Sequence, residues 1–131
     1  MAIAGADFTL VYRHLCDAAA GPKADAAVAN LFKDNATAYH EWATQWRARL
    51  AEDGGSLEAR QALMRAANPA FIPRNHRVEQ VIVAAVHRED FGPFETLIKV
   101  LAKPYQDQPG FEPYADPPTP EQVVHQTFCG T

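Results

Sequence analysis

Two thiols, Cys16 and Cys129, and one Arg–Asn pair, Arg74-Asn75, are the side chains of this 131-residue chain best suited to chemistry. A thiol close to a chain end is accessible, and access together with thiolate fraction sets redox reactivity. Cys129, third from the end, has that position, although the acidic side chains around it disfavour the thiolate. Cys16 sits beside an apolar helical stripe and reads as a buried, inert thiol. Arg74-Asn75 follows Pro69-Ala70-Phe71-Ile72-Pro73. A guanidinium and an amide on so rigid a link could hold a phosphate, a carboxylate or a protein partner. The same pair also suits a plainer use, with Asn75 capping a helix that starts at His76 and Arg74 bound to helix C-terminal carbonyls.

Other chemistries lack their residues. There is no G-x-G-x-x-G or Walker-type loop to bring backbone N–H groups to a phosphate. Ser56, the only serine, stands where a helix cap belongs and makes a poor candidate nucleophile. The five histidines, His14, His40, His76, His87 and His125, include no H-x-x-x-H pair, and His40-Glu41 begins a zinc motif that is not completed. They read as surface histidines. Tyr39, Trp42 and Trp46 could stack a base or a sugar, but aromatics at this helical spacing belong more often to a core. Arg47 and Arg49 would then flank the exposed face. Glu89-Asp90 is not a carboxylate pair, because adjacent helical residues point apart and Asp90 suits a cap. No catalytic, nucleotide-binding or metal-ligating residue and no cofactor is therefore expected in this chain.

The elements that must carry these groups read as helices. Asp7 can cap a helix with Phe8, Val11, Tyr12 and Leu15 on one face, stopped by Gly21-Pro22. Val28, Leu31 and Phe32 mark a short second segment. Asn35 can cap a third, with Tyr39, Trp42, Trp46 and Leu50 on one stripe, ended by Gly54-Gly55. Ser56 opens a fourth, carrying Leu57, Met64 and Ala67. Prolines at 69 and 73 force an extended link over residues 68–75. Val78, Val81, Ile82 and Ala85 then form a stripe, and Asp90 caps a last helix with Phe91, Phe94, Leu97, Ile98 and Leu101. No segment alternates with period two. The expectation is all-α: a bundle of five or six short helices over residues 1–103, with a proline-rich extended tail over 104–131.

Charge sharpens that division. The chain holds 12 Lys and Arg against 16 Asp and Glu, a net charge of -4. No Lys or Arg follows Pro104, and Asp107, Glu112, Asp116 and Glu121 supply the excess. An acidic chain without a basic patch argues against nucleic acid as a partner. The longest apolar run, Val81 to Val86, is far below the ~20 residues of a membrane span. No basic n-region precedes Ala2-Ile3-Ala4, so no signal peptide is expected, and two distant cysteines suit a reducing cytoplasmic setting. Tyr105, Phe111, Tyr114, Val123, Val124 and Phe128 give the tail apolar anchors for packing on the bundle or on a partner. Thr119-Pro120-Glu121-Gln122 has capping-box spacing, which predicts a helical turn there.

Several stretches resemble the C-terminal region of the selenoprotein O family. They are Asp7-Phe8-Thr9-Leu10, Trp46-Arg47-Ala48-Arg49-Leu50, Met64 with Asn68-Pro69-Ala70-Phe71-Ile72-Pro73-Arg74-Asn75, and Glu89-Asp90-Phe91. Val100-Leu101-Ala102-Lys103-Pro104-Tyr105, Pro117-Pro118 and the terminal Phe128-Cys129-Gly130-Thr131 continue the likeness. That family consists of pseudokinases that transfer AMP from ATP to protein hydroxyls with a divalent metal. The resemblance implies an accessory, regulatory helical domain, with ATP and Mg or Mn belonging to a kinase-like core that is absent here. It also implies a redox role for Cys129 through a bond to a cysteine of that core. The chain ends Cys-Gly-Thr where Cys-Ser-Ser is more usual, and it lacks the tryptophan common after Pro-Pro. By this reading the chain alone is not an enzyme, its partner is the core, and self-association through an exposed apolar patch is expected. The other reading open at this point is a freestanding helical protein-interaction module.

Overall fold

The structure, a computed structural model, describes residues 5–127. Six α-helices follow one another: α1 (Phe8–Ala18), α2 (Ala26–Phe32), α3 (Ala36–Glu52), α4 (Leu57–Ala67), α5 (Asn75–Arg88) and α6 (Gly92–Leu101). Short 3-10 turns lie at Pro22–Ala24, Lys33–Asn35, Glu112–Tyr114 and Pro120–Gln122. There is no strand among the described residues, and the protein is all-α. The chain divides into two compact units, Met1–Pro69 and Ala70–Thr131.

In the first unit, the caps set the helix starts. The Asp7 carboxylate accepts from the Leu10 amide at 2.9 Å, and Ser56 Oγ from the Ala59 amide at 3.2 Å, each satisfying a first-turn donor. Asn35 stands at the start of α3 without making a cap, because Lys33–Asn35 is already wound as a 3-10 turn. Gly54 and Gly55, at φ 67° and 80°, take the left-handed backbone that reverses the chain after α3. The core is built from Val11, Leu15 and Ala18 of α1, Val28 of α2, and Tyr39 and Ala43 of α3. Each of the larger buried side chains stabilises the fold by about 2 kcal/mol. Trp42 departs from the expected core stripe. It stacks on Trp46 with centroids 5.3 Å apart, yet stays 46% exposed, one turn beyond the buried Tyr39.

The second unit starts with the extended link that the prolines dictate. Ala70 and Phe71 both donate to the Pro104 carbonyl, at 2.8 and 3.1 Å, so link and tail hold one another. Gln108 Nε2 donates to the Val100 and Lys103 carbonyls and closes the end of α6. Arg77 donates to the Pro113 carbonyl at 2.6 Å. Ala70, Phe71 and Val100 form the core here, with Phe111, Tyr114 and Ala115 of the tail packed against them. The Thr119 amide donates to Gln122 Oε1 at 3.1 Å, as the capping-box spacing predicts. The expected Asp90 cap is corrected: Phe91 holds the N-cap position of α6 without a side-chain cap bond, and the Asp90 carboxylate accepts from the Gly92 amide at 3.0 Å one residue before it. The apolar stripes of α5 and α6 are corrected: Val81 and Ala84, then Leu97 and Val100, are buried, whereas Ile82, Phe91, Phe94 and Ile98 are exposed.

Candidate functional site

The rigid link delivers Arg74, Asn75 and His76 to the start of α5. Helix α5 begins one residue earlier than the cap reading expects: Arg74 holds the N-cap position and Asn75 is already helical. Arg74 offers its carbonyl to the Arg77 and Val78 amides, at 2.9 and 3.0 Å, but its side chain makes no cap bond. The guanidinium is buried, at 7% exposure, and Asn75 is exposed. Arg13 donates to the Asn68 and Arg65 carbonyls at 3.1 and 3.4 Å, at the end of α4.

His76 is the residue that a surface reading misses. It is only 4% exposed, and neither ring nitrogen has a hydrogen-bond partner among the described residues. Burial, with the charges of Arg77 and Arg74, holds its pKa below the ordinary histidine value, while Asp116 opposes them. The imidazole is therefore neutral at pH 7. It borders two clefts. One, of about 390 Å³, also touches Arg74, Asn75, Ile72, Pro118 and Val124. The other, of about 280 Å³, also touches Glu79, Gln80, Arg88 and Gln122. The signal available in the sequence was His76's place directly behind the Pro-x-x-x-Pro link, with its backbone already fixed.

A second buried polar centre was not foreseen. Asp25, 4% exposed, accepts from Tyr39 Oη at 2.7 Å and from Arg47, which also donates to the Ala18 carbonyl. His40 Nδ1 lies 3.7 Å from the same carboxylate. Burial alone would raise the Asp25 pKa, but the bonds from Arg47 and Tyr39 and the charges of Arg47 and His40 hold it below the usual carboxylate range. Burial and the bond to Asp25 push Tyr39 up. Arg47 is thus an internal anchor, while Arg49 is exposed and paired with Glu52 at 2.9 Å.

Cys129 lies outside the described residues. Cys16 is fully buried as expected, with its thiol 3.5 Å from the Tyr12 carbonyl, and burial raises its pKa against the opposing charges of Arg13 and Arg65. An apolar groove of about 280 Å³ runs between Leu15, Phe32, Tyr39 and Trp42. More extensive is the uncovered apolar surface of the α5–α6 hairpin, where Ile82, Val86, Phe91, Phe94 and Ile98 are 47 to 68% exposed. No helix among the described residues is long and apolar enough to cross a membrane.

Residues 4–102 match the family described as Protein adenylyltransferase SelO. The chain is 60% identical over 126 residues to a Protein nucleotidyltransferase YdiU of Bradyrhizobium diazoefficiens, covering 96% of this chain and 25% of that protein. It is 55% identical over 132 residues to the protein of the same name from Methylorubrum extorquens, covering 96% of this chain and 26% of the relative. The chain thus spans about a quarter of the length of the curated relatives it matches.

Proposed function

The chain belongs to the SelO protein adenylyltransferase family, and from that membership we propose that it works as an accessory, regulatory C-terminal helical portion of such an enzyme. Transfer of AMP from ATP to protein hydroxyls then falls to a kinase-like portion outside these 131 residues. The observation that carries this reading is the pairing of quarter-length coverage with an uncovered apolar hairpin. Five large apolar side chains on α5, α6 and the turn between them form a surface of the kind that marks a protein contact. The occupant we assign to it is the rest of the longer polypeptide, in a cytoplasmic setting.

ATP and a divalent Mg or Mn belong, on this reading, to that other portion. Among the described residues, no three His, Cys, Asp or Glu come together to hold a metal. Phosphoryl-type transfer needs such ligands beside phosphate-cradling donors. Incubating the chain with labelled ATP, Mg or Mn and a protein acceptor should give no AMP incorporation. Clear incorporation would overturn the assignment.

The redox part of the proposal rests on Cys129. Oxidation would join its sulfur to a cysteine of the catalytic portion, the two thiols giving up two protons and two electrons to a cellular oxidant. Maleimide should then label Cys129 in the native chain and Cys16, buried at 0% exposure, only after unfolding. Equal native labelling of both would contradict this. The exposed hairpin also suits a freestanding interaction module that self-associates or binds a separate protein. A reading frame that continues upstream into a kinase-like core decides for the first reading, and one that does not decides for the second.

A further inference from the structure

We infer that the cleft on α5 bordered by His76, Glu79, Gln80 and Gln122 binds a neutral primary carboxamide. The inference does not depend on the accessory-domain reading.

A buried polar ring ordinarily has a partner, because leaving its donor and acceptor unpaired is costly. His76 is 4% exposed, and neither ring nitrogen is hydrogen-bonded among the described residues. A cleft of about 280 Å³ lies against it. Glu79 and Gln80 follow His76 by three and four residues on α5, so all three share one helix face and border that cleft together. Gln122 and Val124 border it from the tail.

The polar groups say which ligand. The neutral imidazole has one N–H donor and one acceptor nitrogen. Gln80 Oε1 accepts from Arg77 at 3.0 Å, and Gln122 Oε1 from the Thr119 amide at 3.1 Å. With these oxygens engaged, both glutamines have an NH2 group left to offer, and Glu79 adds an acceptor. A primary carboxamide answers both kinds. Its oxygen accepts from a glutamine NH2 or the imidazole N–H, and its own NH2 donates to Glu79. Charge disfavours the ionic relatives. Glu79 opposes an anion, and Arg88, which borders the same cleft, opposes a cation. The charges of Arg77 and Arg74 near His76 act in the same sense as Arg88, with Asp116 opposing them. Val83 and Val124 supply a small hydrocarbon surface for the carbon body of the amide.

The test titrates the full, isotope-labelled chain with propanamide, and in parallel with propanoate, propylamine and propanol. Propanamide should produce saturable NMR shifts of the His76 ring nitrogens and of the Glu79 and Gln80 backbone amides, and the three analogues should not. Glu79→Ala should weaken propanamide about tenfold, because a charge-assisted acceptor is lost. His76→Phe keeps a ring without nitrogens and should abolish the Glu79 and Gln80 shifts. A blocked glycine–glutamine–glycine peptide is titrated against glycine–methionine–glycine. Tighter binding of the glutamine peptide than of propanamide supports a side chain of a protein partner as the source, and tighter binding of propanamide supports a free amide. No saturable shift with either amide, or an equal response to propanoate, propylamine or propanol, would overturn the inference. The His76 signals are read in unmutated protein, so the outcome does not rest on a variant folding.

Discussion

Asp25 in the first unit and His76 in the second are equally buried, at 4% exposure each, and they are treated in opposite ways. Asp25 is surrounded by donors: Tyr39, Arg47 and, at longer range, His40. Its burial is offset within the fold, and the cluster ties the segment before α2 to α3. His76 has no partner among the described residues and opens onto clefts on two sides. A buried charge that accepts from Tyr39 and Arg47 is held by the fold itself. An unsatisfied buried ring keeps capacity for something outside. This contrast is the basis of the proposal that the second unit carries the contacts.

Mutation should separate the two centres most strongly through stability. Asp25→Ala leaves Arg47 and Tyr39 facing a vacated buried site, and should cost about 3 kcal/mol in urea unfolding. His76→Leu removes a buried polar ring without a hydrogen-bond partner among the described residues, and should leave stability unchanged or raise it by about 1 kcal/mol. A loss at His76 as large as that at Asp25 would mean that the ring has a structural partner, and the contrast would fail.

The pH dependence offers a smaller, more discriminating effect. Both groups have lowered pKa values in the folded chain, so both contributions are present at high pH and are lost on acidification. The windows differ. An unfolded histidine protonates near pH ~6.5, so the His76 contribution fades as pH falls through that value towards its lower folded pKa. The Asp25 contribution persists until pH falls below ~3.9 and through its own folded value. Unfolding curves between pH 7.5 and 5 should therefore be flatter in His76→Leu than in the parent chain. An unchanged slope would show that His76 is not the buried neutral group described.

Much of the fold was legible because short-range rules govern it. Asp7 and Ser56 cap as their positions predict, Gly54-Gly55 reverses the chain, and prolines 69 and 73 force the link. The faces of α5 and α6 were not legible. Periodicity assigns apolar side chains to one inward stripe, and it cannot recognise a hairpin that leaves Ile82, Phe94 and Ile98 exposed. Nor could spacing reveal the Asp25 centre, whose members lie 14 and 22 positions apart and meet only through packing. Arg74-Asn75 stood out because the link before it is rigid. His76, one residue on, looked like any surface histidine, and only burial distinguishes it.

The central claim, that the second unit carries the contacts, is tested most directly by labelling this chain and adding the part of the Bradyrhizobium diazoefficiens relative that lies outside the matched stretch. Saturable one-to-one binding is expected, with amide shifts concentrated on α5 and α6 and abolished by Phe94→Glu combined with Ile98→Glu. No binding, or shifts confined to α1–α4, would contradict the account.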